Sequence, residues 1–210
     1  MAAEAAVMEH ARAHGVPVPE VFEVRESEII MERAAGPTML EALFRRPWTV
    51  RRSARQLADL HVLVHAVPAL DWLPAPFDGL GGQGGRGGEG GEEVLLHRDL
   101  HPHNVIMTAA GPRIIDWEGA ARGPSFADVA MTWVIVAFSE PPGSRLLVLA
   151  ARPLQALFAR EFLRAARRRT PADRRLMEAA IRQRLKDSNL LPSEKARLER
   201  LQRSGRIPGR

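Results

Sequence analysis

Two short runs carry the residue types that could do chemistry. His97-Arg98-Asp99-Leu100-His101-Pro102-His103-Asn104 is followed, after a turn signal, by Ile114-Ile115-Asp116-Trp117-Glu118. Phosphoryl transfer asks little covalent chemistry of a protein. It needs a carboxylate to orient the attacking hydroxyl and take its proton, and oxygen ligands to hold magnesium on the phosphates. Asp99 follows a strand on a loop, where a carboxylate can face a cleft rather than a core. Asn104 opens the next strand, and a tight turn at Gly111-Pro112 folds the following strand back so that Asp116 returns to the same end. One amide and one carboxylate suffice for magnesium, which completes its octahedron with phosphate oxygens and water.

The elements that must position these groups can be read from periodicity. Glu4 to His14 has helical composition and is closed by Gly15 before Pro17-Val18-Pro19. Glu20 to Arg25 and Glu28 to Glu32 form an expected antiparallel pair around Glu26-Ser27, with Ile29, Ile30 and Met31 as a buried run. Helices are expected over Thr38–Phe44 and Val50–Val64, the second placing Leu57, Leu60, His61 and Val64 on one face. Short strands follow at Val94–His97, Asn104–Thr108 and Arg113–Trp117, with Ala109 to Pro112 as the turn between the last two. Helices then run over Phe126–Phe138, Gly143–Arg169, Pro171–Lys186 and Pro192–Ser204. Gly79-Leu80-Gly81-Gly82-Gln83-Gly84 formally matches a dinucleotide fingerprint, but no strand precedes it and no helix follows, so it reads as a glycine-rich loop.

The bulk properties narrow the class. The chain has 210 residues, 45% hydrophobic, enough for a substantial core. Without cysteine there is no disulfide framework and no thiolate metal site. Met1 to Met8 lacks the basic start and apolar core of an export signal, and the longest apolar stretch, Val129 to Phe138, is about half of a bilayer crossing. A cytoplasmic protein without membrane association is expected. The net charge of +5 is segregated: from residue 151 onward 17 Lys/Arg face 6 Asp/Glu, a balance of +11 that leaves −6 for the first 150 residues. Arg167-Arg168-Arg169 could contact nucleic acid or anionic lipid, although a solvated helix face is the commoner outcome. The absence of Tyr argues against a base-stacking surface. No feature fixes an oligomeric state.

The spacing H-R-D-L-x-x-x-N, then a strand ending in Asp, matches the protein-kinase catalytic set. Leu96 to Ala120 also closely resembles the aminoglycoside phosphotransferase and choline kinase-like family, whose loop tends to read His-x-Asp-Leu-His-Pro-x-Asn and whose metal strand reads Ile-Asp-Trp. His101-Pro102 and Trp117 favour that small-molecule branch. The resemblance implies Asp99 as catalytic base, Asn104 and Asp116 as magnesium ligands, and ATP or GTP as phosphate donor to a small-molecule hydroxyl. Glu118 could approach a second metal or be a solvated strand end. Arg98 could neutralise phosphate charge or pair with a neighbouring acid. Asp128 resembles the family's Asp-Leu-Ala motif, and as an acid in the first turn of a helix it reads as structural. Upstream, Glu4 would match the glutamate that pairs with an ATP-binding lysine, and backbone groups near Glu32 and Ala34 would form the adenine hinge. The implied fold is α+β: a protein kinase-like fold with a truncated small N-terminal lobe over 1–33 and a helical lobe over 34–210. The helical lobe carries the catalytic loop 97–104 and the metal strand 113–118.

The sequence departs from that family in its cations. Its two lysines, Lys186 and Lys195, lie far beyond the catalytic passage, and no glycine-rich phosphate loop precedes Glu4. Two expectations compete: that the protein continues upstream of Met1, or that the domain has lost nucleotide clamping and is a pseudokinase. Weak ATP binding by this chain is expected in either case. A third reading is a non-enzymatic module whose basic C-terminal part docks an anionic partner. His97, His101 and His103 read as loop-stabilising groups rather than metal ligands, and His61 and His65 as core and surface residues. Polycationic aminoglycosides fit poorly against a basic acceptor wall, which leaves sugars, amino alcohols or anionic metabolites.

Overall fold

The computed structural model describes residues 1–77, 93–140, 145–205 and 207–208. The glycine-rich string from Gly79 to Gly84 lies outside them, as does Gly143 at the expected start of a helix. Helix α1 (Ala2–Ala13) leads into a ribbon of β1 (Val21–Val24) and β2 (Ile29–Met31), paired antiparallel. Ile29, Ile30 and Met31 are half-buried rather than buried, because a two-stranded ribbon has too little cover for both of its faces.

Helix α2 (Met39–Arg45) starts on a capping box: the Thr38 hydroxyl accepts from the Glu41 N–H (3.1 Å), and the Glu41 carboxylate accepts from the Thr38 N–H (2.8 Å). Helix α3 (Val50–His65) buries Leu57, Leu60, His61 and Val64, the face that its periodicity specifies. Strand β3 (Val94–Leu96) pairs with β6 (Ala121–Gly123), while β4 (Val105–Thr108) and β5 (Gly111–Ile114) form the central hairpin. Helices α4 (Ser125–Phe138), α5 (Arg145–Ala166), α6 (Arg174–Arg184) and α7 (Pro192–Ser204) complete the chain. The core is built from α3 packed on α5 and α4 packed on α6, with Trp117, Phe126, Phe158 and Phe162 among its largest buried side chains.

The hairpin differs from the expected one. Its turn is at Ala109-Ala110, and Gly111 and Pro112 already pair with Thr108 and Met107. Strand β5 ends at Ile114 because the backbone at Asp116 is left-handed (φ 67°) and cannot continue an extended strand. Strand β6 was not anticipated; three residues beginning Ala-Arg-Gly carry too little periodic signal. Helix α5 runs through Pro153, and α6 begins at Arg174, capped by the Asp173 carboxylate on the Arg175 N–H (2.7 Å), rather than at Pro171.

The N-terminal third is fastened to the hairpin by backbone bonds. The Met107 N–H donates to the Pro37 carbonyl (2.8 Å), Ile114 N–H to Pro17 (2.8 Å) and Leu40 N–H to Pro102 (3.0 Å). Gly36 permits this approach, since a Cβ there would lie 2.1 Å from the Met107 carbonyl oxygen.

Candidate active site

The loop between β3 and β4 is held by two residues of α4 spaced one turn apart. The Asp128 carboxylate accepts from the His97 N–H (3.1 Å) and the Arg98 N–H (2.6 Å), while the Thr132 hydroxyl donates to the Leu100 carbonyl (2.9 Å). A second layer on α3 has the same spacing. His65 Nε2 donates to Asp128 (3.0 Å), and His61 Nε2 lies 3.0 Å from the Thr132 hydroxyl. Burial opposes the charge on Asp128, yet the hydrogen bond from His65 and the surrounding histidines more than offset it, holding its carboxyl below the ordinary range. Burial pushes His61 down to about 4. The structural reading of Asp128 is therefore extended: it is buried, and it sets the backbone of the loop. His65 is not a surface residue, its side chain being only 7% exposed.

That grip supports a strained backbone. Among the described residues only Arg98 (φ 68°) and Asp116 (φ 67°) are non-glycine residues with positive φ. Such a conformation costs roughly 1–3 kcal/mol and persists where the surroundings over-determine it. Here it turns consecutive side chains of the loop in different directions. The Arg98 guanidinium donates to the Gly119 carbonyl (3.3 Å) and makes no ion pair within contact distance among the described residues, although the charges of Asp128 and Asp99 act on it.

Asp99 is half-exposed and sits between three neighbours. The Asn104 side-chain amide donates to its carboxylate (2.9 Å) and to its carbonyl (3.0 Å), and His101 Nε2 lies 3.4 Å from the other carboxylate oxygen. Burial favours the neutral acid, but the His101 and Asn104 hydrogen bonds and the His97 and His101 rings outweigh it, so the Asp99 carboxyl is lowered and ionised at neutral pH. His97 Nδ1 accepts the Asp99 N–H (3.3 Å), so its proton is on Nε2 and donates to the Ile115 carbonyl (3.1 Å). Buried, neutral and stacked on Trp117 with ring centroids 4.5 Å apart, His97 joins the Asp99 loop to the chain leading into Asp116. The Ile115 N–H donates to the Asn104 carbonyl (3.0 Å), a second link of the same kind.

Asp116 and Glu118 are exposed, and the Asp116 carboxylate takes part in no hydrogen bond or ion pair among the described residues. Since the nitrogen of the Asn104 amide is spent on Asp99, its oxygen is the free end. An amide oxygen and an unpaired carboxylate are the kinds of hard donor that hold magnesium, which keeps most of its shell for phosphate and water; Asn104 is buried and does not border the cavity that Asp116 lines. No group of three or more His, Asp or Glu side chains among the described residues is arranged as a metal cage. His97 and His101 have both ring nitrogens engaged within the loop.

Two cavities meet at Asp99. One, of about 640 Å³, is bordered by Arg98, Asp116, Glu118, Arg184 and Lys186. The other, of about 420 Å³, has apolar walls from Leu40, Phe44, Leu154 and Phe158, with His103, Glu140 and Asp187 among its polar groups. Gln155 stiffens the apolar cavity by donating to the Val136 (2.8 Å) and Ser139 (2.6 Å) carbonyls. Lys186 and Arg184 were missed as site residues: 87 positions separate Lys186 from Asp99 in sequence, and only the packing of α6 on α4 brings it to the same cavity.

The upstream candidates border neither of these cavities. Glu4 is half-exposed in the first turn of α1 without a described partner. The Glu32 N–H is spent on the Glu20 carbonyl (2.7 Å) and its carboxylate on the Glu20 N–H (3.3 Å), with Arg113 at 3.8 Å. The Ala34 N–H has no backbone partner among the described residues.

Residues 31–175 match the phosphotransferase enzyme family. Thiamine kinases of Salmonella paratyphi B and Salmonella newport are 46% identical over 39 residues, which is 19% of this chain and 14% of the length of each kinase. Among solved structures, the amicoumacin kinase hAmiN in complex with AMP-PNP, Ca2+ and Ami is 14% identical, aligning 96% of this chain with 75% of that one at a TM-score of 0.49.

Proposed function

The chain belongs to the phosphotransferase enzyme family, and from that membership we propose that it moves the terminal phosphate of a nucleoside triphosphate to a hydroxyl of a small molecule. The position of Asp99 carries the proposal, at the junction of a polar cavity and an apolar one. The nucleotide phosphates occupy the polar side and the acceptor the apolar side, so the attacking hydroxyl meets the Asp99 carboxylate. The acceptor oxygen bonds to the terminal phosphorus as the bond to the bridging oxygen breaks. The hydroxyl proton passes to Asp99, which its neighbours keep ionised to receive it. Asn104 and Asp116 would hold magnesium, which when bound neutralises phosphate charge. Arg98, fixed by Gly119, borders the same side, and Glu118 is placed as a solvated acid beside it. The free Ala34 N–H is the hinge group left to meet a nucleobase.

The apolar wall selects an acceptor with a largely apolar body and favours no polycation. The test is turnover of Mg-ATP by the full chain over a panel of apolar alcohols, amino alcohols, sugars and aminoglycosides. Asp99→Asn should lower turnover by roughly 100-fold or more with the fold unchanged. Equal turnover in that variant, or preferential phosphorylation of kanamycin-like substrates, would overturn the reading.

A further inference from the structure

A second site lies on the face of the molecule formed by α4, α5 and Pro208. The end of α5 and the turn that follows it carry a basic stripe: Arg160 and Arg164 lie one turn apart on the helix, and Arg167 and Arg168 follow in the turn after Ala166. Like charges at that spacing repel, so the stripe is a local cost that the helix carries without return in the isolated chain. The nearest acid in sequence, Glu161, is already taken by Arg160 (3.2 Å). Arg164, Arg167 and Arg168 have no ion-pair partner among the described residues. Arg167 goes further: its Nε and one terminal nitrogen are shut off from solvent and have no hydrogen-bond acceptor. A guanidinium held in that state is costly, and a shift of the side chain outward onto an acceptor in the groove would relieve the cost, with the other terminal nitrogen, which is not among the buried unpaired atoms, as the first donor to meet it.

The stripe borders a groove of about 620 Å³. Small residues at Ala137, Ala156 and Ala159 open its floor, and Trp133 and Leu163 supply apolar walls. Trp133 is steadied edge-on against Phe138, with centroids 5.8 Å apart. We propose that this groove binds a phosphate-bearing small molecule with an apolar or aromatic body, the phosphate bridging the guanidinium groups of Arg164 and Arg167 and the body lying against Trp133. Three unpaired cations match a dianion better than a single carboxylate, and the planar guanidinium fork suits phosphate oxygens. None of the groove residues borders the cavities at Asp99, so occupancy here is separate from turnover there.

The experiment is titration of the full chain with phenyl phosphate and, in parallel, inorganic phosphate, followed by Trp fluorescence and calorimetry. Phenyl phosphate should bind more tightly than inorganic phosphate and perturb a tryptophan. Arg167→Gln should weaken binding roughly tenfold, as loss of a charge-assisted hydrogen bond does. Arg164→Gln, at an exposed position where the fold should be unaffected, should weaken it as well. Arg203→Gln on α7 and Asp116→Asn at the phosphotransfer site should leave it unchanged. Absence of phenyl phosphate binding, equal loss in Arg203→Gln, or binding confined to nucleic acid with a steep salt dependence would overturn the proposal.

Discussion

At the scale of single residues, the proposed chemistry depends on groups that are held but not used up. Asp99 is ionised because hydrogen bonds from His101 and Asn104 outweigh its burial, and Asp116 is presented bare on a left-handed backbone. Lys186 is the residue whose position at the site sequence distance concealed. It is exposed and borders the Asp116 cavity, and no lysine precedes it in the chain. In the proposed reaction its ammonium would meet phosphate on the side where Arg98 also stands. Lys186→Met should raise KM for the nucleotide several-fold with little change in stability, whereas Lys195→Met should leave both alone. Steady-state kinetics at varied ATP checks this, and equal effects of the two substitutions would refute it.

Among elements, the decisive relation is a ladder from α3 through α4 to the Asp99 loop. His61 and His65 on α3 meet Thr132 and Asp128 on α4, and these in turn fix the backbone at residues 97, 98 and 100. Matching i, i+4 spacings on two packed helices make this possible, because residues one turn apart share a face. Asp128 bears most of it, with three donors on one buried carboxylate. Asp128→Asn, which leaves amide hydrogens facing backbone N–H donors, should cost about 3–5 kcal/mol of stability. It should also lower turnover without any contact between residue 128 and substrate. His65→Gln, which can still donate, should cost less. Urea midpoints for the two variants supply the comparison, and an Asp128→Asn protein as stable as the parent would remove Asp128 from this role.

For the whole molecule, the buried histidines couple folding to pH. His61 and His97 are neutral in the folded state, with His61 pushed down to about 4 from an ordinary 6.5. Unfolded histidine takes up a proton below about 6.5 while the folded ring does not, so the unfolded state binds more protons and stability falls as pH drops through that window. His61 alone should account for roughly 3 kcal/mol between pH 6.5 and 4. Below that, Asp128 adds a further loss, since its carboxyl is lowered in the fold and must be protonated as acid unfolds it. Denaturant midpoints from pH 7.5 to 4 should decline accordingly. His61→Gln should flatten the upper part of the curve, and a pH-independent parent would contradict the account.

Much of this was legible in the sequence, and for local reasons. Among the described residues, seven helices and five of the six strands announce themselves through periodicity and caps, and spacing along one loop and one hairpin singles out Asp99, Asn104 and Asp116 as the proposed site. What remained hidden depends on distance through space. The three-residue β6 is fixed by its pairing with β3, and the end of β5 by a left-handed Asp116. Lys186 reaches Asp99's cavity, and His65 becomes buried against Asp128, only because α6 and α3 pack on α4. Sequence determines which groups can ionise, ligate or repel, since that is a property of each side chain and its near neighbours. Tertiary packing decides which of them meet and which lose water, and the energy of a charge depends on both.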